Sequence, residues 1–414
     1  MDPMKVLMLR HNLHQLVLDQ ADEVYAVLDR SAGCRALPPE TLRRFAGVYR
    51  VSSYDSLEEL SAVAGDLLTR GTGIDRVVSF AEFTQYAAGY LAHLLGLEHF
   101  SPILALATRD KRVTKALAAR AGLPVARWFS IPDITDAPDP SVIEEAVGFP
   151  LVLKPAGGWG TLSTVKVHGR AELADVLAGY TTEAELVTQQ ALVEEFIDGE
   201  EFHVDAVWRD GTPWIFHISR YLSPRLHAWT RHTPHGSVLL AERDHPELHE
   251  QVRQLHLRLN KALGLERGAT HLEVFREHGT GRLLVSEIAS RVGGANISDI
   301  VAARQGVHGG VVALHELLDG DLSALPFTEG SFASVGGLWL VPERSGRVAA
   351  LPSRAELLAH PNVIDAAVYR QPGDTVEVTH PSAWCVMMVV GADSEAELLK
   401  AVDELMSTYR VEMA

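Results

Sequence analysis

The sequence predicts a mixed α/β protein of several domains, and three observations support this prediction. The chain has 414 residues, more than one hydrophobic core usually serves. Strand patterns alternate with helix patterns over about the first 105 residues, as in a parallel, Rossmann-like α/β layer. Beyond about residue 330 the pattern is rich in strands. We therefore expect domains over residues 1–105, 106–200, 201–330 and 331–414.

The first unit contains three strand patterns and three helix patterns. Short buried strands are predicted over residues 5–9, 48–51 and 76–80. The apolar spacing over residues 13–29 is that of an amphipathic helix, because apolar residues recur every three to four positions. Further helices are predicted over 56–68 and 82–95, and Ser56 with Glu59 has the spacing of a capping box.

The remaining segments mix hairpins and helices. Helices are predicted over 109–121, 171–178, 246–263, 295–318 and 394–409, with a polar loop over 133–140. Strands are predicted over 150–154, 164–167, 193–196, 201–208, 213–219, 270–276, 282–289, 335–341, 363–369 and 383–390. Asp210-Gly211 is the expected turn of one hairpin.

Composition and charge narrow the classes of function. Lys and Arg number 37 against 54 Asp and Glu, which gives a formal net charge of −17. Such a chain repels a phosphate backbone, which argues against nucleic-acid binding. Cys34 and Cys385 are too few for a disulfide framework, and no apolar run approaches the ~20 residues that span a bilayer. We therefore expect a soluble, cytoplasmic protein that binds neither nucleic acid nor a membrane.

A strand that delivers a lysine to a glycine-rich loop is the first candidate site. The segment runs from Pro150 to Thr164, with Lys154 near the end of the strand and Gly158, Gly160 and Ser163 in the loop. Backbone N–H groups of such a loop can approach phosphate oxygens while the lysine supplies positive charge. No Gly-Lys-Ser/Thr closes the loop, so it is not a P-loop. A flexible hairpin turn with a surface lysine is the alternative interpretation.

Carboxylates crowd two other places. Those from Glu194 to Glu201 lie on a strand, a turn and a strand, where a solvated acidic turn is the alternative. Glu273 and Glu287 lie on two strands joined by residues 277–281.

The register between these two strands decides whether the two glutamates meet. If Arg276 pairs with Arg282, Glu273 faces Val285, and Glu287 becomes its diagonal neighbour about 7–8 Å away. Hard oxygen ligands of this kind suit Mg²⁺. A shift of one residue would separate the two faces, and salt bridges with neighbouring arginines are the alternative role.

Arg291 ends a strand and is followed by Gly293 and Gly294 before a helix. An arginine can bind a planar carboxylate or phosphoryl group through two hydrogen bonds, and the glycines allow a ligand to approach the backbone at the helix start. A simple turn from strand to helix is the alternative.

The histidines suggest a metal site less strongly. His245, His249 and His256 lie on or beside one predicted helix, and His227, His232 and His235 precede it. The pair His245/His249 has the i,i+4 spacing of zinc ligands, but there is no His-Glu-x-x-His motif and no cysteine nearby. We predict exposed helix positions for them instead.

In this order, the motifs resemble those of the ATP-grasp superfamily over most of the chain. Asp110-Lys111, followed by Ala118 to Pro124, is similar to the segment that opens that family's ATP-binding region. Lys154 and the glycine loop resemble its lid over the phosphates. The position two after Glu287 is often Asn in this superfamily and is Ala289 here, as in the carboxyaminoimidazole synthetases. This leaves Glu287 to bridge two ions with less help.

The resemblance implies a role for each motif. It implies that Glu273 and Glu287 bind Mg²⁺, two ions or Mn²⁺ in their place, and that Arg291 stabilises an acyl phosphate. It implies ATP-binding roles, with Lys154 also catalytic, for the following residues: Lys111, Lys154, Gly158, Gly160, Ser163, Glu194, Glu195, Phe196, Ile197 and Glu201. Within this set Glu194 to Ile197 would hold adenine and Glu201 the ribose.

Within the superfamily, Arg291-Val-Gly-Gly and the β-rich tail are most similar to L-amino-acid ligases and related carboxylate–amine ligases. The resemblance implies that a carboxylate, such as that of an amino acid, attacks the γ-phosphate of ATP, and that an amine then forms an amide or dipeptide bond. ADP and phosphate would be released, and we expect a homodimer. The alternatives are an ATP-dependent carboxylase and a nucleotide-binding regulatory protein without turnover.

Overall fold

The structure is a computed structural model that describes residues 3–182, 189–227, 233–378 and 383–414. His232, one of the histidines considered above, lies outside these residues. Within the described residues, no helix is both long enough and apolar enough to cross a bilayer.

The first sheet is parallel and has the strand order β3-β2-β1-β4. Its strands are β1 (Lys5–Leu9), β2 (Glu23–Leu28), β3 (Gly47–Arg50) and β4 (Arg76–Ser79). Its helices are α1 (His14–Gln20), α2 (Ala32–Arg35), α3 (Pro39–Arg44), α4 (Leu57–Thr69), α5 (Gln85–Leu94) and α6 (Pro102–Ala107). The predicted alternation of strands and helices, and with it the mixed α/β class, is confirmed. The Ser56 hydroxyl accepts from the Glu59 N–H as predicted, but the Glu59 carboxylate binds Ser52 instead of closing a capping box.

The predicted helix over residues 13–29 is wrong in its second half. The chain leaves helix α1 at Ala21 and enters strand β2 at Glu23. Strand β2 lies between β1 and β3, so Val24, Val27 and Leu28 are buried by packing on both faces of the sheet. A short apolar run of this kind fits both the period of a helix and that of a buried strand, and pairing with neighbouring strands decides which of the two forms.

The second sheet is antiparallel and small. It follows helix α7 (Lys111–Arg120), which ends before the left-handed Gly122 as predicted. Its strands are β5 (Trp128–Ile131), β6 (Leu151–Pro155), β7 (Val165–Val167) and β8 (Ala191–Glu195), in the order β5-β8-β6-β7. Helices α8 (Pro140–Val147) and α9 (Arg170–Gly179) pack with it around a core that includes Ile143, Leu151 and Val193. Part of the predicted loop over 133–140 forms a short 3₁₀ turn.

A large antiparallel sheet begins with five strands that carry much of the candidate site. They are β9 (Gly199–Arg209), β10 (Thr212–Tyr221), β11 (His235–Leu240), β12 (Gly268–Glu277) and β13 (Leu283–Ala289), and helix α10 (Pro246–Leu263) precedes β12. Asp210 and Gly211 form the turn between β9 and β10, both with positive φ, as predicted.

The last third of the chain extends the same sheet. Its helices are α11 (Ile297–Gln305), α12 (Gly309–Leu317), α13 (Arg354–Leu358) and α14 (Glu395–Thr408). Its strands are β14 (Ser334–Leu340), β15 (Gly346–Ala350), β16 (Val363–Val368), β17 (Thr375–Val376), β18 (Val386–Ala392) and β19 (Glu412–Met413). The eight-stranded order is β13-β12-β9-β10-β11-β14-β18-β16, so the sheet continues across the predicted domain limit near residue 330. The four domain limits themselves stay predictions.

The predicted helix over residues 295–318 is two helices. Gly306 has a left-handed φ of 79° and ends α11, and α12 starts at Gly309. A side chain at Gly306 would also meet the Thr328 hydroxyl at 2.1 Å. The break is therefore fixed by both backbone conformation and space.

The prediction of exposed histidines on helix α10 is wrong. His249 and His256 are buried, and they share the inner face with Val252 and Leu259. His249 Nε2 lies 2.9 Å from the Leu240 carbonyl oxygen. His245 lies at the helix start, where its Nε2 is 2.8 Å from Glu395. These histidines therefore serve packing and hydrogen bonding.

We expect His256 to make stability depend on pH. Burial lowers the pKa of His256 to about 3, whereas an unfolded histidine titrates near ~6.5. Between these values the unfolded chain binds the extra proton, so stability is lost as the pH falls. Between pH 7 and pH 5, the free energy of unfolding of His256→Gln should therefore fall by about 2 kcal/mol less than that of the parent.

Urea unfolding at the two pH values measures the effect. His278→Gln is the matched control, because that side chain is 59% exposed. Equal losses of stability in His256→Gln and the parent would contradict the prediction.

Candidate active site

A cavity of about 220 Å³ lies between the small antiparallel sheet and the large one. All predicted site residues except Ser163 and Arg291 line it. They come from the start of α7, from β6 with its following loop, from β8 with the turn into β9, and from β12 and β13. The further lining residues are Val152, Pro155, Trp159, Thr161, Thr164, Asp198, Gly199, Pro224, Arg225, Leu226, Phe275 and Ser286.

Two lysines bring positive charge to one side of the cavity. Lys111 is held at the start of α7, where its Nζ donates to the Gly158 carbonyl at 2.7 Å and lies 2.8 Å from Glu287 Oε2. Lys154 Nζ lies 2.7 Å from Glu194 Oε1. Burial lowers the pKa of Lys154, but the charges of Glu194 and Glu287 outweigh it, so that pKa is raised. Lys154 is therefore cationic, and it is not the surface lysine of the alternative interpretation.

The glycine loop folds back over this lysine pair. Gly160, Thr161 and Ser163 all have left-handed φ values, of 57°, 64° and 52°. The ring of Trp159 in the loop packs edge-on against Phe83 of the first unit, with ring centroids 5.1 Å apart. Ser163 does not line the cavity, and its carbonyl accepts from the Tyr180 hydroxyl at 2.6 Å.

The acidic segment that begins at the end of β8 is a structured edge of the cavity and not a solvated turn. Glu194 is buried, and burial would raise its pKa, but Lys115 and Lys154 lower it to about 2. Glu195 forms two ion-pair contacts of 3.1 Å with Arg127. Phe196 packs beneath the Lys166 ammonium, which lies 3.3 Å from the ring centroid.

Glu201 lies at the far end of this segment. It is buried, and its Oε2 accepts from the Arg225 N–H at 2.7 Å. Burial and the neighbouring charge of Glu273 raise the pKa of Glu201. A hydroxyl or a cation near this carboxylate would lower the free-energy cost of burying its charge.

Glu273 and Glu287 are direct cross-strand partners on β12 and β13. The predicted register is wrong by one residue: Arg276 pairs with Leu283, and Val274 pairs with Val285. A bulge between Glu273 and Val274 in the pairing leaves Ser286 as the extra residue on β13 and brings the two glutamates opposite each other. The predicted proximity is therefore confirmed by a different route.

The oxygens of these two glutamates fit a hard divalent cation. Glu273 Oε1 accepts from the Tyr221 hydroxyl at 3.0 Å, and both side chains face the cavity. Burial would raise the pKa of Glu273, but the hydrogen bonds from His271 and Tyr221 lower it. Ionised oxygens on one face are the ligand set that Mg²⁺ prefers.

A buried chain of hydrogen bonds, completed by one ion-pair contact, ends at Glu273. His203 Nδ1 lies 2.6 Å and His271 Nδ1 2.9 Å from the two oxygens of Asp205. His271 Nε2 lies 3.6 Å from Glu273 Oε1, and His203 Nε2 lies 2.8 Å from the Ser237 hydroxyl. Ligand atoms of the two histidines and Asp205 lie within 4.8 Å of one another. Since both Asp205 oxygens are already paired with imidazoles, we interpret this cluster as support for Glu273 and not as a second metal site.

Arg291 does not line the main cavity and contacts the first unit instead. Its Nε donates to Glu82 Oε2 at 2.6 Å, and its Nη1 donates to the Val292 carbonyl at 2.8 Å. Glu82 also lies 3.2 Å from Arg109 Nη1. Burial would raise the pKa of Glu82, but Arg291 and Arg109 lower it to about 2.

Sequence reasoning missed several charged residues of this region, and two of them, Lys115 and Glu82, have a signal in the chain. Lys115 lies 3.0 Å from Glu194 and is fully buried; its signal was the i,i+4 spacing from Lys111, which puts both on one helix face. Glu82 follows β4 next to β1, where the strand order reverses. Side chains at such a point often meet a ligand.

Comparison with protein families matches two segments of the chain. Residues 147–299 match the ATP-grasp domain, and residues 338–414 match the L-amino acid ligase C-terminal domain 2. The first match spans the glycine loop, the acidic segment at the end of β8, and both Glu273 and Glu287.

Curated relatives include ligases of two kinds. An L-arginine-specific L-amino acid ligase of Bacillus subtilis is 27% identical over 341 residues, which is 81% of this chain and 79% of that protein. A D-alanine–D-alanine ligase of Chlorobaculum parvum is 32% identical over 197 residues, which is 46% of this chain and 52% of that protein. The chain thus spans about half of the length of the D-alanine ligase.

Solved structures share the fold. The L-amino acid ligase from Bacillus licheniformis has a TM-score of 0.77 at 17% identity, with 99% of each chain covered. The N5-carboxyaminoimidazole synthetase from Staphylococcus aureus, complexed with ADP, has a TM-score of 0.67 at 12% identity, with 97% of this chain and 96% of that chain covered. With the matched domains and the ligase relatives taken together, the chain contains an ATP-grasp domain and an L-amino acid ligase C-terminal domain and is an ATP-dependent ligase.

Proposed function

We propose that this ATP-dependent carboxylate–amine ligase joins two amino acids through an acyl phosphate and releases ADP and phosphate. The observation that carries the proposal is the pair Glu273 and Glu287, which lie opposite each other beside two lysines that face the same cavity. The carboxylate of one amino acid would attack the γ-phosphate of ATP, and the amine of the other would then displace the phosphate. No protein nucleophile is needed for either step.

The metal-binding role falls to Glu273 and Glu287, and we propose two Mg²⁺ ions, with Mn²⁺ able to replace them. Bound Mg²⁺ supplies charge neutralisation for the transferring phosphoryl group. Lys111 and Lys154 add fixed positive charge on the same side of the cavity, where low dielectric strengthens it. Lys154 acts in both binding and catalysis.

The nucleotide base and sugar would lie against the end of β8 and the turn that follows it. Glu194 to Ile197 border the cavity as an edge that can hold adenine, and Glu201 lies where it can accept from ribose hydroxyls. Gly158, Gly160 and Ser163 would cover the phosphates as part of the lid. Closure of this loop against Phe83 would keep water from the acyl phosphate.

Arg291 would stabilise the acyl-phosphate stage at the junction with the first unit. The Glu82 carboxylate fixes the direction of its guanidinium, and a fixed donor costs little reorganisation when charge develops.

We also propose that the protein is a homodimer in the cytoplasm. A solution mass of twice the 45.2 kDa chain would support the dimer, and the unpaired Cys34 and Cys385 are compatible with a reducing compartment.

We expect ADP and phosphate as the products, with no AMP or pyrophosphate. The two lysines and two glutamates gather around one end of the cavity, which suits transfer of the terminal phosphoryl group. Chromatography of the spent nucleotide after incubation with pairs of amino acids measures the outcome. Accumulation of AMP in step with the dipeptide would refute the acyl-phosphate mechanism, and reactions without amino acids control for background hydrolysis.

A further inference from the structure

Two lysines share the Glu194 carboxylate and differ in their access to the cavity. Lys115 Nζ lies 3.0 Å from Oε2, and Lys154 Nζ lies 2.7 Å from Oε1. The Lys115 side chain is 0% exposed and the Lys154 side chain 15% exposed. Of these two, only Lys154 lines the cavity.

A second acceptor holds Lys115 in place. Its Nζ donates to the Ser286 carbonyl at 3.1 Å. Ser286 is the bulge residue that sets the position of Glu287. Lys115 therefore connects helix α7 with strand β8 and with strand β13, which carries Glu287, and its Nζ has two fixed partners.

The two lysines should respond differently to ATP. If Lys154 turns from Glu194 to the phosphates, it leaves a buried carboxylate with one partner fewer, and a buried charge without a partner is costly. We propose that Lys115 is a positioning residue that keeps Glu194 neutralised and so frees Lys154 to bind the nucleotide. This inference rests on the nucleotide site proposed above.

A cycle of three variants tests the proposal through MgATP affinity, measured by calorimetry without amino acids. In Lys115→Met, Glu194 has only Lys154 as a counter-charge, so the Kd for MgATP should rise about 10- to 100-fold. In Lys115→Met/Glu194→Gln the carboxylate is gone as well, so Lys154 is free again. Because Glu194 itself belongs to the proposed nucleotide site, the reference for this double variant is Glu194→Gln alone, and the Kd values of the two should agree within a few-fold.

Equal affinity of the double variant and Glu194→Gln, beside a clear loss in Lys115→Met, distinguishes positioning from a general structural role, in which the loss caused by Lys115→Met would be the same with or without Glu194. Additive losses would overturn the proposal. If Lys115→Met does not fold, the double variant is compared with Glu194→Gln alone, and equal affinity is expected. A tenfold weaker affinity in the double variant would overturn the proposal.

Lys400→Met, at a side chain that is 77% exposed, controls for the loss of one lysine. A parent that fails to bind MgATP would instead refute the proposed nucleotide site.

Discussion

Glu287→Gln should lower the turnover of the ligase by about 10²- to 10³-fold. The substitution keeps the size of the side chain and removes one of the two carboxylates proposed to hold Mg²⁺. Stabilisation of phosphoryl transfer by a metal ion is worth several kcal/mol. The fold should survive, since the Glu287 side chain is 29% exposed and hydrophobic residues hold the hairpin. The thermal midpoint without ligand should stay within a few degrees of the parent.

Glu277→Gln is the matched control, because Glu277 lies on the same hairpin and does not line the cavity. Phosphate release at saturating ATP and a series of Mg²⁺ concentrations measures the effect in both variants. Near-parental turnover of Glu287→Gln at ordinary Mg²⁺ would rule out the metal assignment. A loss of equal size in Glu277→Gln would point to damage of the hairpin.

Arg291→Lys should lower kcat by about 10²- to 10³-fold with little change in ATP affinity. Lysine keeps the charge and can retain one contact with Glu82, but it lacks the planar fork that presents several donors at once. Removal of one fixed donor from a developing oxyanion typically has a rate cost of this size. ATP affinity should be spared, because Arg291 does not line the cavity proposed to bind the nucleotide.

Arg282→Lys controls for the exchange of arginine for lysine, because its side chain on the hairpin loop is 52% exposed. Calorimetry gives ATP affinity, and steady-state kinetics with a working pair of amino acids gives kcat and KM. The opposite pattern, lost ATP affinity with kcat preserved at saturation, would place Arg291 in the nucleotide site.

Much of the fold could be predicted because apolar periodicity and turn residues agree along the chain. Helix α10 illustrates this: its apolar spacing and Gly264 predict an end at Leu263, where the structure has it. Strand β2 could not be predicted in the same way. Its apolar residues fit the period of a helix as well as that of a strand, and only its position between β1 and β3 makes it a strand.

The site was predictable where a residue type and its local motif carry the chemistry. Lys154 with its glycine loop, and the acidic segment at the end of β8, border the cavity as expected from the sequence. Contacts between distant segments leave no such local pattern. Arg291 and Glu82 are 209 residues apart, and the partners of Lys115 come from two different sheets. The role of Ser286 as a bulge residue likewise depends on pairing with β12.

The bulge at Ser286 decides whether the two glutamates, given the number of residues between them, lie on the same face of the sheet. In the pairing of Val274 with Val285, opposite residues are an odd number of positions apart, whereas Glu273 and Glu287 are an even number apart. The extra residue reconciles the two. A shift of the pairing by one residue would turn one carboxylate to the other face of the sheet, while a shift of two residues would keep both on the cavity side. The shared face of the two carboxylates therefore depends on the extra residue at position 286 and not on the length of the loop that joins the strands.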